Sequence, residues 1–466
     1  MKLVFLCVCV IAALHAHYHA TTQAAQLRRV WMQDHCKNGI CMNIEIGRND
    51  FVLLSQMPIA NQIMLSFLNS SISKIPSLMF ETFPDLQVLH MDNCSVDVLE
   101  SPQFEGASNL KSLSLAHNQL RDIPKNIFLG AENLHSLTLN NNKIQKVHNM
   151  SFHALKELKE LSLANNRLEH LPTGIFAPLR KLLDLDISGN LLQTFPRGIF
   201  DKNLNLTQIN LGRNRFAVFE SELFKLQHRI TMLDLSGNVL QELILNFPEL
   251  STAKANNCDL RKLTVYGYVS ELELRNNSLR EVPHLQHAAN VTSLDLSHNP
   301  LGAMRGNPLR RYIGLERLNL SAINMHDVPE QLFKKQTQLK ILDISGNALY
   351  NMKFTIFDSL KSLEFLCFQQ NNWNCDFLQL LMNSYVKRRD VGYIEDTIEP
   401  EMVDDYIDGV ACWYENNKSS KKCDSATSDA AMELAIVRND MKSFVDVMDK
   451  KFVKVYRMLD EIKAHL

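Results

Sequence analysis

From Gln62 to Trp373 one short pattern, Leu-x-x-Leu-x-Leu-x-x-Asn-x-Leu, recurs about fourteen times almost without interruption. It is cleanest in LKSLSLAHNQL (Leu110 to Leu120), LKELSLANNRL (Leu158 to Leu168) and LKILDISGNAL (Leu339 to Leu349). A unit this short cannot bury its own apolar face, so neighbouring units must stack until their leucines form one ladder. Within Leu113-Ser114-Leu115, alternation along a strand turns the leucines inward and the serine outward. Asn118 falls where the chain leaves the strand, and a buried amide there can satisfy backbone groups of adjacent turns. Recurrent apolar positions farther along each unit, such as Ile123, Phe128, Leu171 and Phe176, are expected on the convex back.

Repeats of this length and spacing carry the leucine-rich repeat signature. The expected fold class is an α/β solenoid: a leucine-rich repeat horseshoe with a parallel concave sheet, disulfide-tied caps and a C-terminal coiled-coil-like helix. Such a surface favours binding over catalysis. Repeats begin at Gln62, Leu86, Leu110, Leu134, Leu158, Leu182, Leu206 and Ile230, each 24 residues after the last. Leu250, Val269 and Val291 then follow at spacings of 20, 19 and 22, before Leu315, Leu339 and Leu363 restore 24. Shorter units have less material on the convex side, so curvature should change between about Ile230 and Val291.

The chain opens with Lys2 and LVFLCVCVIAALHA, followed by small residues at Ala16, Ala20, Ala24 and Ala25. That pattern predicts a signal peptide over residues 1–20, with cleavage between 16 and 25. No later stretch has the length and apolarity of a membrane span, and the polar ending DEIKAHL argues against a lipid-anchor tail. The expected product is secreted and extracellular, with an N-terminal cap over 21–61, repeats over 62–374 and a cysteine-containing cap over 375–424. A net charge of −2 gives no sign of nucleic-acid or membrane-surface binding.

Removal of Cys7 and Cys9 with the leader would leave eight cysteines. Cys94 and Cys258 occupy the asparagine position of their repeats, where buried cysteine behaves as a small hydrophobe; both are expected as free thiols. Cys36 and Cys41 flank Asn38-Gly39, a type I′ hairpin signal, and a bridge between them would cover the first turn. Cys367, Cys375, Cys412 and Cys423 are the remaining disulfide candidates, and four cysteines allow three pairings. Cys367, at an outward position of the last strand, is expected to bridge to the adjacent cap, with an intermolecular bridge as the alternative. NNWNCDFLQLL from Asn371 looks like the start of a cap in which the tryptophan covers the last apolar layer.

Beyond Cys423 both Gly and Pro disappear. Met441, Val445, Met448, Phe452, Val455, Leu459, Ile462 and Leu466 follow the 4-3 alternation of a heptad seam. An amphipathic helix is therefore expected over 425–466, and its apolar stripe must pack on something. A second helix suits a 3.5-residue period better than a flat surface does, with docking back on the cap as the alternative.

No HExxH, GxSxG, Walker loop or Cys-x-x-Cys occurs, so no enzyme activity, cofactor or metal site is expected. Carboxylates do gather on the expected inner face. Asp186, Asp234, Glu273, Asp295 and Asp343 share one outward position, with Glu160, Asp184 and Glu271 beside them and Lys254, Arg275 and Arg317 interrupting. Such a column would bind a basic partner or a cation, or simply solubilise the face. Asn-x-Ser/Thr glycosylation candidates are Asn69, Asn93, Asn149, Asn205, Asn276, Asn290, Asn319 and Asn417. A glycan on Asn319 would obstruct the concave face.

The order of leader, short cysteine-tied N-cap, repeats, WNC-type cap and terminal heptad helix resembles the mosquito leucine-rich immune proteins. NSSISKIPSLMF from Asn69 and NNWNCDFLQLL from Asn371 carry most of the likeness. The resemblance implies a haemolymph protein that pairs through a cysteine and a coiled coil, as a homodimer or with a related repeat protein, and holds a complement-like thioester protein. Two departures point to a short-coil relative. Long-coil members carry a double cysteine where this chain has Ala411 and Cys412, and their coils are much longer than residues 425–466. The competing expectation is a soluble receptor-like decoy or matrix protein that binds a signalling or developmental ligand.

Overall fold

The computed structural model describes residues 29–31, 35–47, 51–53, 62–76, 78–396 and 403–414. The expected leader, Cys423, Asn417 and the seam from Met441 to Leu466 lie outside the described residues.

The dominant element is a 16-stranded sheet. It starts with the antiparallel hairpin Cys36–Lys37 and Ile40–Met42, closed by Asn38 and Gly39 at φ 50° and 77°. Positive φ at both turn residues is what a type I′ turn demands, and Asn-Gly supplies it at least cost. Ile40–Met42 then pairs in parallel with Met64–Leu68, and each later strand stacks in parallel on the one before, ending at Phe365–Cys367. Most strands are only three residues long: two side chains face the concave side and the central one is buried. Leu113, Leu137, Leu161, Leu185, Ile209 and Leu233 form this central column in perfect register, all buried.

The asparagine of most units builds the second ladder. Asn190 is typical: its Oδ1 accepts from Leu168 N at 3.0 Å, while its Nδ2 donates to Leu163 O, Ile187 O and Ser188 O at 3.0–3.1 Å. One side chain thus closes its own turn and ties it to the preceding one. Asn142, Asn166, Asn214 and Asn238 repeat the arrangement. Cys94 and Cys258 stand in the same place as buried free thiols, and each donates from Sγ to a carbonyl of the preceding turn, Phe67 O or Leu235 O. Ile323 also occupies the asparagine position and is fully buried.

A third ladder fills the convex half. Phe80, Phe104, Phe128 and Phe152 stack with centroids 5.3–6.1 Å apart, and Phe176, Phe200 and Phe224 continue the spine. Where the repeats shorten, the convex turns are replaced by two extended parallel strands, Glu242–Leu245 and Lys262–Val265. Leu243, Leu245, Leu263 and Val265 point inward and Ile244 outward. Gly267, just beyond, lies so close to the Phe247 carbonyl that any side chain would clash with it.

The last apolar layer is closed by Trp373, fully buried, whose Nε1 donates to Phe368 O at 2.7 Å. The helix Cys375–Leu381 begins on Asn374, whose side chain accepts from Phe377 N. Cys375 is bridged to Cys412 and Cys36 to Cys41. Asp396 secures the incoming segment by accepting from Gln370 N and Ala411 N, both at 2.8 Å. The disulfide expected for Cys367 is corrected: this residue is a buried free thiol. It stands in register with Asp343 on the sheet, whereas Cys375 opens the cap helix with its Cα 5.0 Å from that of Cys412.

Burial pushes the Cys94 and Cys367 thiols up to about 12, with the charges of Asp92 and Asp343 respectively adding to the effect, and burial raises Cys258 as well. Thiolate is the reactive form, so alkylating reagent at pH 8 should label none of the three in the native protein. Denaturation without reduction should expose Cys94, Cys258 and Cys367, while Cys36, Cys41, Cys375 and Cys412 should react only after reduction. Peptide mapping by mass spectrometry reads this directly; a disulfide at Cys94 or Cys258 would overturn the repeat register.

Candidate binding surface on the concave sheet

Parallel pairing in register turns the outward positions of each strand into two columns. The first contains Ser136, Glu160, Asp184, Gln208, Met232, Thr252, Glu271, Ser293, Arg317 and Ile341. The second contains Thr138, Ser162, Asp186, Asn210, Asp234, Lys254, Glu273, Asp295, Asn319 and Asp343. The acids singled out from the sequence therefore fall in both columns. Arg317 stands in the first, beside Ser293, and Arg275 lies past the end of its strand.

The second column has a structural task that the sequence reading missed. Asp186 Oδ1 accepts from Ser188 N and Oγ, and Asp343 Oδ1 accepts from Ser345 N and Oγ. Asp234 and Asp295 accept from Ser236 N and Ser297 N, and Asn210 and Asn319 make the same bond to Gly212 N and Ser321 N. Each side chain closes the turn out of its strand, an Asx-type contact. The signal was present as an Asp or Asn followed two residues later by Ser or Gly. Holding one carboxylate oxygen on the backbone orients the group and leaves the other for a partner.

Two acids are neutralised within the sheet. Lys254 Nζ lies 2.8 Å from Glu273 Oε1, and Arg317 Nη2 lies 2.8 Å from Glu271 Oε1. Both pairs are partly exposed and contribute little stability, but they divide the negative field. One cluster comprises Glu160, Asp184 and Asp186 on adjoining strands, with Asp234 two strands on; the other comprises Asp295 and Asp343 on either side of Asn319. His298, on the turn after Asp295, is held below the usual imidazole range by burial and then by the Arg275 charge.

Burial is the main cause that raises Asp343 above the usual carboxylate range, and Asp295 adds to it. A carboxyl raised on folding contributes stability below its unfolded pKa and loses that contribution as pH rises through the folded one. Asp343→Asn keeps the acceptor for Ser345, as Asn319 does for Ser321, and removes the buried charge. The variant is expected to melt above wild type at pH 7, with the gap narrowing as pH falls through the raised folded pKa and gone below the ordinary carboxylate range. A lower melting temperature at pH 7 would show that the charge itself is needed.

Of the glycosylation candidates, Asn69, Asn93, Asn149, Asn276 and Asn290 are exposed. Asn276 Nδ2 donates to Asn257 Oδ1 and Asn205 Nδ2 to Arg180 O. Asn319 is half-buried on the sheet between Asp295 and Asp343. Among the described residues, no group of three or more His, Cys, Asp or Glu side chains is placed to hold a metal ion. None of their helices is long and apolar enough to cross a membrane.

Family models agree with this geometry. A leucine rich repeat model matches residues 132–192 and 184–240, and a BspA type leucine rich repeat region matches 61–142. Over these residues the chain is similar to leucine-rich repeat proteins, and its described residues have the leucine-rich repeat solenoid fold. Among curated relatives it is 36% identical over 93 residues to the human leucine-rich repeats and immunoglobulin-like domains protein 1, a segment that is 20% of this chain and 8% of that one. The chain thus spans a small part of that relative's length. The Drosophila Toll–Spatzle complex, glycosylated form, superposes with a TM-score of 0.57 at 21% identity, over 77% of this chain and 49% of that chain, a likeness of fold. The LRIM1/APL1C complex aligns over 91% of this chain and 79% of that chain at 17% identity, with a TM-score of 0.49, too low to bear on function.

Proposed function

We propose that this leucine-rich repeat protein is a secreted, non-enzymatic recognition and scaffold protein of insect innate immunity. It binds protein partners through the solenoid and pairs through its C-terminal helix. The observation that carries the binding role is the concave sheet itself: a broad platform with carboxylates grouped in two clusters, Asp186, Asp234, Asp295 and Asp343 among them oriented by turn-closing hydrogen bonds. Fixed, same-sign charge on a rigid surface suits a basic protein face, because little side-chain entropy is lost on binding. The immune role, haemolymph location and complement-like thioester partner are supported by the resemblance of the N-cap, repeats, WNC cap and heptad seam to the mosquito leucine-rich immune proteins. Pairing rests on the seam from Met441 to Leu466, whose apolar stripe needs cover.

Two separable measurements test this. Tagged protein is recovered from haemolymph, and bound proteins are identified by mass spectrometry, for wild type and for a variant with Asp186, Asp234 and Asp295 all changed to Asn. The variant keeps the turn acceptors, so it should fold normally and lose at least ten-fold in partner recovery. Truncation after Asp424, or Phe452→Asp with Leu459→Asp, should leave a secreted solenoid that no longer associates in light scattering. Cys423→Ser tests a covalent clamp on non-reducing gels. A wild type that is monomeric at micromolar concentration and recovers no partner would overturn the proposal; recovery of a signalling or developmental ligand would replace the immune role with the receptor-like one.

A further inference from the structure

Outside the concave face, positive charge gathers around one hollow. Between two successive turns, outside the sheet, lies an open hollow of about 420 Å³. Its rim carries Arg280, Arg305, Arg310, Arg311 and His284, against a single carboxylate, Glu281. In a chain of net charge −2 this is a local excess of the opposite sign. All four arginines are exposed, and none takes part in an ion pair among the described residues. Arg311 makes a single long contact, Nη2 to Gln286 O at 3.3 Å.

A cross-turn tie and an apolar floor separate the hollow from an ordinary basic surface. Its walls are fixed to each other: Tyr312, buried beside Arg311, donates from Oη to Pro283 O of the preceding turn. The arginine stems therefore rise from a rigid frame. Leu301 and Met304 give the floor an apolar stretch.

We propose that this hollow is an anion-binding site that takes a sulfo or phosphoryl group carried on a sugar. Guanidinium groups match the tetrahedral oxyanion with paired N–H donors. The apolar floor accommodates a sugar face, and the volume suits one or two rings. None of its lining residues belongs to the concave acidic clusters.

Isothermal titration on the full chain, at two salt concentrations, tests the site with glucose 6-sulfate, glucose 6-phosphate, a sulfated heparin disaccharide, unsubstituted glucose, and inorganic sulfate and phosphate. Wild type is expected to bind a substituted sugar at least ten-fold more tightly than glucose, and less tightly at the higher salt. Arg305→Gln with Arg310→Gln should lower that affinity at least ten-fold, whereas Arg215→Gln with Arg261→Gln, away from the hollow, should not change it. Preference for the sulfo or the phosphoryl sugar identifies the biological source. No binding by wild type, equal loss in both double variants, or no loss in the first would overturn the proposal. Equal affinity for the inorganic ions and their sugar esters would overturn the sugar component.

Discussion

Leu235→Asp is expected to remove most of the stability of the solenoid and to block secretion. Leu235 is 1% exposed, and its carbonyl already accepts from Asn238 Nδ2 and Cys258 Sγ. No donor is left there to pair with a new carboxylate. An unpaired buried charge costs several kcal/mol, comparable to the whole stability of many domains at about 5–15 kcal/mol. Leu163→Asp, at a fully buried position of the same ladder, should behave alike. Because each turn contacts only its neighbours, the damage should divide the molecule, giving two unfolding transitions in urea where wild type gives one. Val239→Asp is the control: that residue is 58% exposed, and surface changes stay within about 0.5 kcal/mol. Secretion of Leu235→Asp at wild-type level with unchanged melting would contradict the stacked-leucine architecture.

The asparagine ladder should rank its substitutions in an order that propensity alone does not give. Asn190→Ala removes one accepted and three donated hydrogen bonds at a buried site. Orphaned buried backbone groups cost about 1–3 kcal/mol each before relaxation, so a net loss of roughly 3 kcal/mol is expected. Asn190→Asp should be worse. Its carboxylate can still accept from Leu168 N but meets the carbonyls of Leu163, Ile187 and Ser188 with no N–H to offer. Asn190→Cys should be mildest, since Cys94 and Cys258 show that a thiol at this place still donates to the preceding turn. Urea unfolding of the three variants gives the order directly. Asn190→Asp more stable than Asn190→Ala would mean that the amide NH₂ is not what joins the turns.

The physical scale of each interaction decides where it becomes legible. The stacking of turns, the inward leucines, the asparagine ladder and the Asn38-Gly39 hairpin were all readable in the linear pattern. Each depends on a short, repeated spacing that dictates its own backbone geometry and meets an identical neighbour. The two columns of the concave face follow from the same period, because parallel strands in register bring equivalent positions together.

Other features required the folded chain. That Cys375 joins Cys412 while Cys367 stays reduced depends on how the cap helix leaves the last turn and on the strand position that aligns Cys367 with Asp343. That Lys254 and Arg317 divide the acidic face depends on side-chain directions across strands, between residues 19 and 46 apart, whereas the aspartates close turns only two residues away, a signal the repeat already carried. The arginine hollow draws on loop residues of two turns whose spacing obeys no period. A repeat determines the contacts it makes with its own copies, because the same few backbone dihedrals and leucines recur at every turn. Contacts between unlike segments carry no such internal template, and only the tertiary structure brings them within bonding distance.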